Sequence, residues 1–422
     1  MRDKQSFGSV FLTVLGYSAL FYIMQVFLVK AGFFTQYPVR EALMHWDSIF
    51  YYTIAYEGYS YNNWISNTAF FVFYPWVWKF LHLGVYGICA FNVLCYAAGI
   101  SVLYKLIGAD RKDLLLWLTL PSSMFIYVPY PEAFYFFIIT LAMYGIIHKK
   151  RWLVWPCLFI AAMTRMNTMV MLPALLVMEC ITSERKEWYK GVFISIVHYA
   201  LPILSGLGLF IWYQHHVTGV WFPYFIKQRT MWGHEFHVPL FPLQTSHGPW
   251  LLWLNAMALF LGVLSLYLMI RKGVQWLVNN KLAEDKLLVL SAGYFVLTMF
   301  QMLFYNHISA PANTTNLHGF HRYVFVTPYF MVFLHHYLSK VRYSLMQQCM
   351  VVVFANAVWL LCGSYEHIQQ LLFFNFNCLL LVLLMNHANK QTERSLMMIV
   401  AINFFFQVML MQRFLLDVYY PD

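Results

Sequence analysis

Residues 7 to 29 read FGSVFLTVLGYSALFYIMQVFLV, with no charged side chain between the basic flank of Arg2 and Lys4 and the next charge at Lys30. A bilayer is crossed by about 20 apolar residues in a helix, whereas a secretory h-region runs to roughly 7–15 and ends in a small-residue cleavage site. This stretch is too long for the second and has no such site. It reads as an uncleaved first membrane span.

The rest of the chain has the same character. Of 422 residues, 61% are hydrophobic and 10% charged, against about 25% charged in a soluble protein, so there is too little polar surface to coat soluble domains. The formal net charge of +10 therefore does not point to nucleic acid, and the question becomes which side of a membrane holds the basic groups. All seven cysteines (Cys89, Cys95, Cys157, Cys180, Cys349, Cys362 and Cys378) lie within or at the ends of apolar runs, with no CxxC pair. They read as buried small hydrophobes.

Scanning outward from the first run gives spans at 8–30, 84–105, 114–129, 131–148, 152–164, 168–182, 192–213, 251–270, 287–304, 323–339, 347–362, 369–386 and 396–414. The expectation is an all-α integral membrane protein, a single polytopic domain over 1–422 with about 11–13 spans. The segments 114–129, 152–164 and 168–182 are too short or interrupted for lipid-facing helices and read as broken or re-entrant pieces shielded by neighbours. Alternating the spans from a cytosolic N-terminus puts all but eight of the 27 basic residues on the cytosolic side, as the positive-inside rule requires. The exceptions are Lys30, Arg40, Lys79, Arg165, Lys227, Arg229, Arg322 and Arg413. Their side also carries the three longest polar segments, 31–80, 214–250 and 305–322, rich in Trp, Tyr, His and Pro.

Those extracytosolic segments hold the candidate chemistry. His45-Trp46-Asp47-Ser48 opens a stretch in which an interfacial helix over 43–56 sets Asp47 on one face with Phe50 and Tyr51. A partly desolvated carboxylate there can act as a base toward an acceptor hydroxyl, while the alternative is a helix N-cap or an interfacial polar residue. Other acids on this side are few: Glu41, Glu57, Glu132, Glu235, Glu366, Asp417 and Asp422. Glu132, in Tyr130-Pro131-Glu132-Ala133, reads by default as complementing a helix N-terminus. So few acids favour a one-base displacement from an activated phosphate over a scheme needing two close carboxylates.

Arg165, in Thr164-Arg165-Met166-Asn167, interrupts an apolar stretch and implies either a partner or a snorkelling side chain. His318, His321 and Arg322 form a second cationic cluster, and Lys227, Gln228, Arg229, Trp232, Gly233 and His234 a third. Basic clusters on this side suggest a bound anion. Histidines such as His215, His216, His234, His237, His247 and His307 show no metal-ligand spacing, so no metal site is expected. Asn313-Thr314-Thr315 is a glycosylation sequon, weak support for the orientation.

Taken in order, His45-Trp46-Asp47, Ile54-Ala55 with Gly58-Tyr59, and the aromatic run ending Tyr74-Pro75 resemble the GT-C membrane glycosyltransferases. More narrowly they resemble the PIG-V family, which transfers the second mannose in glycosylphosphatidylinositol (GPI) anchor assembly, and its bacterial relatives. Tyr130-Pro131-Glu132-Ala133 is similar to that family's Tyr-Ser-Glu-Ala step, Arg165-Met166-Asn167 to its Arg-Ser-Asn corner, and Arg322 with Pro328 to its late Arg and Pro. Gln228 with Trp232-Gly233 resembles a segment of the bacterial members. Pro131 and Met166 depart from the family's serines.

The resemblance implies a GT-C-type bundle that moves mannose from a polyprenyl or dolichyl phosphate mannose donor to a lipid-linked glycan, without cofactor or metal. On this chain Asp47 would be the catalytic base, with His45, Trp46 and Glu132 shaping the acceptor side. Arg165 and Arg322 would hold the donor phosphate, helped by His321, Lys227 or Arg229. The membrane is either a bacterial inner membrane or the endoplasmic reticulum, with the site on the lumenal or periplasmic face. Another sugar or acceptor, or a lipid or solute transporter, is the competing reading. Convergence of Asp47, Arg165 and Arg322 at one face favours transfer, and scattering at the midplane favours transport.

Overall fold

A computed structural model describes the chain except residues 1–4, 63–65, 246–248, 281, 310–312, 340, 363–367, 391–392 and 418–422. Glu366, Asp422 and His247 lie outside the described residues. Among those described, eight helices are long and apolar enough to cross a membrane: Phe7–Lys30, Val85–Ile107, Arg185–Thr218, Leu252–Asn279, Lys286–Phe304, Leu345–Cys362, Ile368–Asn386 and Glu393–Leu415. Three shorter apolar helices, Glu132–Ile147, Arg151–Ala162 and Asn167–Ile181, join them. The protein is an all-α multi-pass membrane protein, and its strands are two-residue pairs in the connecting segments.

The first helix, α1 (Phe7–Lys30), shows how composition becomes placement. Its buried residues Val10, Val14, Ser18, Phe21 and Gln25 recur every three or four positions, while Leu12, Leu20, Ile23 and Phe27 are exposed. That is one helical stripe turned to protein and the rest to lipid. Between helices in lipid the driving force is packing and hydrogen bonding rather than exclusion of water. Gln25 accordingly reaches across to the Val408 carbonyl at 3.0 Å.

The segment between α1 and α5 (Val85–Ile107) is structured, as expected, but is not one interfacial helix over 43–56. It divides into α2 (Arg40–Leu43), α3 (Asp47–Tyr56) and α4 (Phe73–Phe80). The break falls at Trp46, whose φ of 54° no helix accommodates. Asp47 thus becomes the first residue of α3.

The segment at 114–129 is a broken piece shielded by its neighbours, as expected. After α6 (Arg111–Leu118), which Asp110 caps through the Lys112 and Asp113 amides, Pro121 opens a 3-10 helix over Pro121–Ile126. The chain still passes from the end of α5 to a level near its start, because the Asn92 side-chain amide of α5 donates to the Val128 and Tyr130 carbonyls at 2.7 and 2.9 Å. Irregular backbone at this depth survives only where protein satisfies it, and Asn92 does so.

Beyond the turn come α7 (Glu132–Ile147), α8 (Arg151–Ala162) and α9 (Asn167–Ile181). Pro156 and Pro173 sit inside the last two. The next passage is longer than expected: α10 (Trp188–Ile194), a π turn over Ser195–Ala200 and α11 (Leu201–Thr218) run on as one helix. Then follow α12 (Pro223–Thr230), α13 (Leu252–Asn279) and α14 (Lys286–Phe304). The expected span 323–339 is split into α15 (Phe320–Phe325) and α16 (Pro328–Ser339), with Pro328 starting the second piece. The chain continues through α17 (Leu345–Cys362), α18 (Ile368–Lys390) and α19 (Glu393–Leu415).

Helices α8 and α11 pack closely at Gly206, where an added Cβ would lie 2.4 Å from the Phe159 carbonyl oxygen. Gly208 faces open space. Gly206→Leu is expected to destabilise the fold by about 1–3 kcal/mol or more through overpacking, and Gly208→Leu to be tolerated. Thermal unfolding of the two variants in detergent checks this.

Candidate active site

Four charged residues from four separate segments meet at one end of the bundle. Glu132 is the hub, 2% exposed. Its Oε1 accepts from Arg165 Nη1 at 2.8 Å and from Arg322 Nη2 at 2.7 Å and Nε at 3.2 Å. Arg322 in turn reaches Asp47 Oδ2 with Nη1 and Nη2, both at 3.3 Å. Glu132 therefore does more than complement the start of α7: it gives no side-chain cap and joins two arginines instead.

Each residue is held from behind. The turn that carries Tyr130 and Glu132 is fixed by Asn92, and the Tyr130 hydroxyl accepts from the Asp47 amide at 3.1 Å. Arg165 occupies the short corner between α8 and α9, and Asn167 in that corner donates to the Tyr294 hydroxyl at 3.3 Å. Tyr294 then donates to the Tyr323 carbonyl at 3.0 Å. One hydrogen-bonded chain thus ties the Arg165 corner to the residue after Arg322. Asn255 of α13 accepts from the His321 amide at 3.0 Å and fixes the start of α15.

Aromatic faces complete the setting. The Arg322 guanidinium lies 4.4 Å from the Phe125 ring centroid and 4.8 Å from that of Tyr130, and Arg165 lies 5.3 Å from Tyr323. A delocalised guanidinium stacks on such faces while keeping its edge donors free for oxygen ligands. Trp46 packs edge-on against Phe414 of α19, with centroids 4.9 Å apart, and His45 Nδ1 donates to the Phe414 carbonyl at 3.0 Å. These contacts hold Trp46 in its left-handed backbone conformation, which costs on the order of 1–3 kcal/mol for a side chain of this kind. They also fix where α3 begins and so where Asp47 stands.

Asp47 is the most accessible of the four, about a fifth exposed (21%), against 10% for Arg322 and 12% for Arg165. Burial pushes its carboxyl above the ordinary carboxylate value, and the Arg322 guanidinium offsets this only in part. Burial alone would lower Arg322, but Glu132 and Asp47 carry it well above its ordinary value. Glu132 acts in the same way on Arg165. Both arginines stay charged at any accessible pH.

The other sequence-derived candidates stand apart from this cluster. His321 Nδ1 is 2.9 Å from Ser122 Oγ, and burial, then Arg322, push its pKa down, so it stays neutral and adds no positive charge. Lys227 bonds the Asn62 carbonyl and lies 4.5 Å from the Tyr61 ring centroid. Arg229 pairs with Glu235 at 2.9 Å, with both side chains exposed. Among the described residues no group of three or more His, Cys, Asp and Glu side chains is arranged to hold a metal. Tyr130 opens the Tyr130-Pro131-Glu132-Ala133 motif, but nothing in its spacing signals a bond to Asp47. Asn92 and Asn255 carried no signal beyond being polar residues in apolar runs.

A cavity of about 820 Å³ lies beside the cluster. Its walls include Ser122, Trp253, Phe325, Phe330 and Leu380, and it extends to Tyr343 and Gln347 toward the opposite end of the bundle. It does not contain the four charged residues. The buried pair of Ser122, which lines the cavity, and His321, the neighbour of Arg322, stands between the two.

Comparison of the chain with protein-family models, curated proteins and solved structures returns no match.

Removing the hub should be costly. Glu132→Gln leaves two buried guanidiniums without their shared counter-charge and is expected to destabilise the protein by about 3–5 kcal/mol. Asp47→Asn should cost clearly less, because Arg322 keeps Glu132 and position 47 is partly open. Thermal unfolding in detergent would show the order, and equal losses would be inconsistent with Glu132 as the hub.

Proposed function

We propose that the protein is a membrane-embedded glycosyltransferase that moves mannose from a polyprenyl or dolichyl phosphate mannose to a lipid-linked, GPI-precursor-like glycan, with Asp47 as general base. The observation that carries this reading is the convergence of Asp47, Glu132, Arg165 and Arg322 at one end of the bundle. A transporter typically places its unusual charges near the midplane, at broken helices related by an internal repeat. Here all four lie where helices begin or end, next to a cavity suited to an apolar chain.

The opposite end of the bundle is the basic one, with Lys105, Arg111, Lys112, Lys149, Lys150, Arg151, Arg185, Lys186 and Lys190 at or near its helix ends. The positive-inside tendency favours that end in the cytosol and the Asp47 end in the lumen or periplasm. The resemblance of the Asp47, Glu132, Arg165 and Arg322 motifs to the PIG-V family supports mannose as the sugar. It is compatible with a bacterial inner membrane or the endoplasmic reticulum.

In this reading the acceptor hydroxyl attacks the anomeric carbon as the bond from that carbon to the phosphate-side oxygen breaks. The electron pair leaves with the lipid phosphate, and the hydroxyl proton passes to Asp47. Phosphate is a good leaving group, so one base suffices and the anomeric configuration inverts. Both Arg322 contacts fall on Oδ2 of Asp47, so Oδ1 faces the acceptor. Arg165 commits Nη1 to Glu132 and offers its remaining donors to the donor phosphate, while Arg322 stays on Glu132 and Asp47. The cavity walls receive the lipid chain.

Asp47→Asn is expected to lower the transfer rate by about 10²–10⁴-fold, the usual contribution of a positioned base, while leaving expression intact. Chelators should have no effect. Because the ionised carboxylate is the active form and its pKa is raised, wild-type activity should fall as pH drops through a value above the ordinary 3.8. Purified wild-type and variant protein, assayed with a short-chain polyprenyl phosphate mannose and a panel of lipid glycans, supply the test. Equal rates would remove Asp47 as base.

A further inference from the structure

The charges of the cluster cancel: Asp47 and Glu132 are negative, Arg165 and Arg322 positive. An anion arriving there finds no uncompensated positive charge, and in a low-dielectric setting that deficit matters. His321 is neutral and Arg229 is paired with Glu235. Arg413 of α19 differs from both. It is half-buried, makes no ion pair among the described residues, and lies 4.6 Å from the ring centroid of Trp250, in the 3-10 turn just before α13. Asp417, four residues on, does not pair with it.

Two sets of contacts connect Arg413 to the rest of the site. The next residue, Phe414, packs against Trp46 and Tyr130 and accepts from His45, so Arg413 stands beside the wall that positions Asp47. Below it, Phe406 and Ile399 recur at intervals of seven and so share its face of α19. Ile399 and Asn403 line the cavity, and Phe406 packs on Trp253, which also lines it. Ten residues separate Asn403 from Arg413, about 15 Å along a helix. An apolar chamber is thus surmounted, along one helix face, by a cation on an aromatic plate.

We propose that Arg413, held over Trp250, binds the phosphate of a lipid whose apolar chain occupies this cavity. This rests on the lipid phosphate reading above and deepens it. Arg413 supplies the positive charge that the neutral cluster lacks, so the phosphate is held without stripping Arg322 from Asp47. Arg413 is a positioning residue: it fixes the leaving group while Asp47 takes the proton.

The test is equilibrium binding of radiolabelled farnesyl phosphate to full-length protein in nanodiscs, with farnesol and inorganic phosphate as competitors. Arg413→Gln should weaken farnesyl phosphate by about 10- to 100-fold, the loss of one charge-assisted contact, and leave farnesol unchanged. Arg413→Lys should retain most of the binding, and Trp250→Leu should weaken it through loss of the plate. Inorganic phosphate should compete only at far higher concentration. If Arg413→Gln binds farnesyl phosphate as wild type does, while wild type still prefers it to farnesol, the assignment of Arg413 fails and the lipid phosphate reading stands. If wild type shows no preference for farnesyl phosphate over farnesol, both fail. Displacement by inorganic phosphate at equal concentration would overturn the lipid as the source of the anion.

Discussion

A single carboxylate oxygen, Oε1 of Glu132, receives two guanidiniums in a nearly fully buried position, and the architecture around it follows from that requirement. An arginine deep in such a protein is costly without a partner. Here neither can be satisfied by its own segment, because Arg165, Arg322, Glu132 and Asp47 come from different parts of the chain. The helices must therefore bring four ends together. Glu132 arrives through the Asn92-clamped turn, Arg165 through a corner tied to Tyr294, and Arg322 through a helix start held by Asn255. Other hydrogen bonds between distant segments, such as Gln407 to the Leu118 carbonyl and Tyr199 to Glu179, brace the bundle away from these charges.

The same arrangement separates two tasks. Glu132, almost wholly buried, neutralises and orients the arginines. Asp47, on the rim and weakly bonded at 3.3 Å, retains an open oxygen and an elevated proton affinity. Two carboxylates of similar intrinsic acidity are thus set to different uses by burial and by the number of guanidiniums each meets, which is the general way a site assigns acid–base roles. Asp47 is suited to accept a proton, and Glu132 to hold its neighbours in place.

Much of this was legible in the sequence, for identifiable reasons. The membrane class followed from composition, and α1 was placed within a residue or so because Ser6 and Lys30 bound an uninterrupted apolar run. Asp47, Glu132, Arg165 and Arg322 were legible because a charge in an apolar chain is conspicuous. What sequence could not show was pairing. Glu132 read as a helix-terminal acid because its partners lie 33 and 190 residues away. The passage through 114–129 read as a broken piece, but nothing in the sequence showed that Asn92 clamps the turn beyond its 3-10 segment. Lys227 and Arg229 looked like members of an anion site, yet they are spent on the Asn62 carbonyl and on Glu235. Arg413 stood out only as a charge on the less basic side, since its aromatic plate comes from Trp250, far off in sequence.

In the proposed reaction one base, Asp47, drives a single displacement at the anomeric carbon. The most direct measurement is the anomeric configuration of the product formed by purified protein from a polyprenyl phosphate mannose of defined configuration, read by NMR of the glycosidic linkage. Inversion relative to the donor is the expected result. A product of retained configuration would exclude a single back-side displacement and would contradict the proposed reaction.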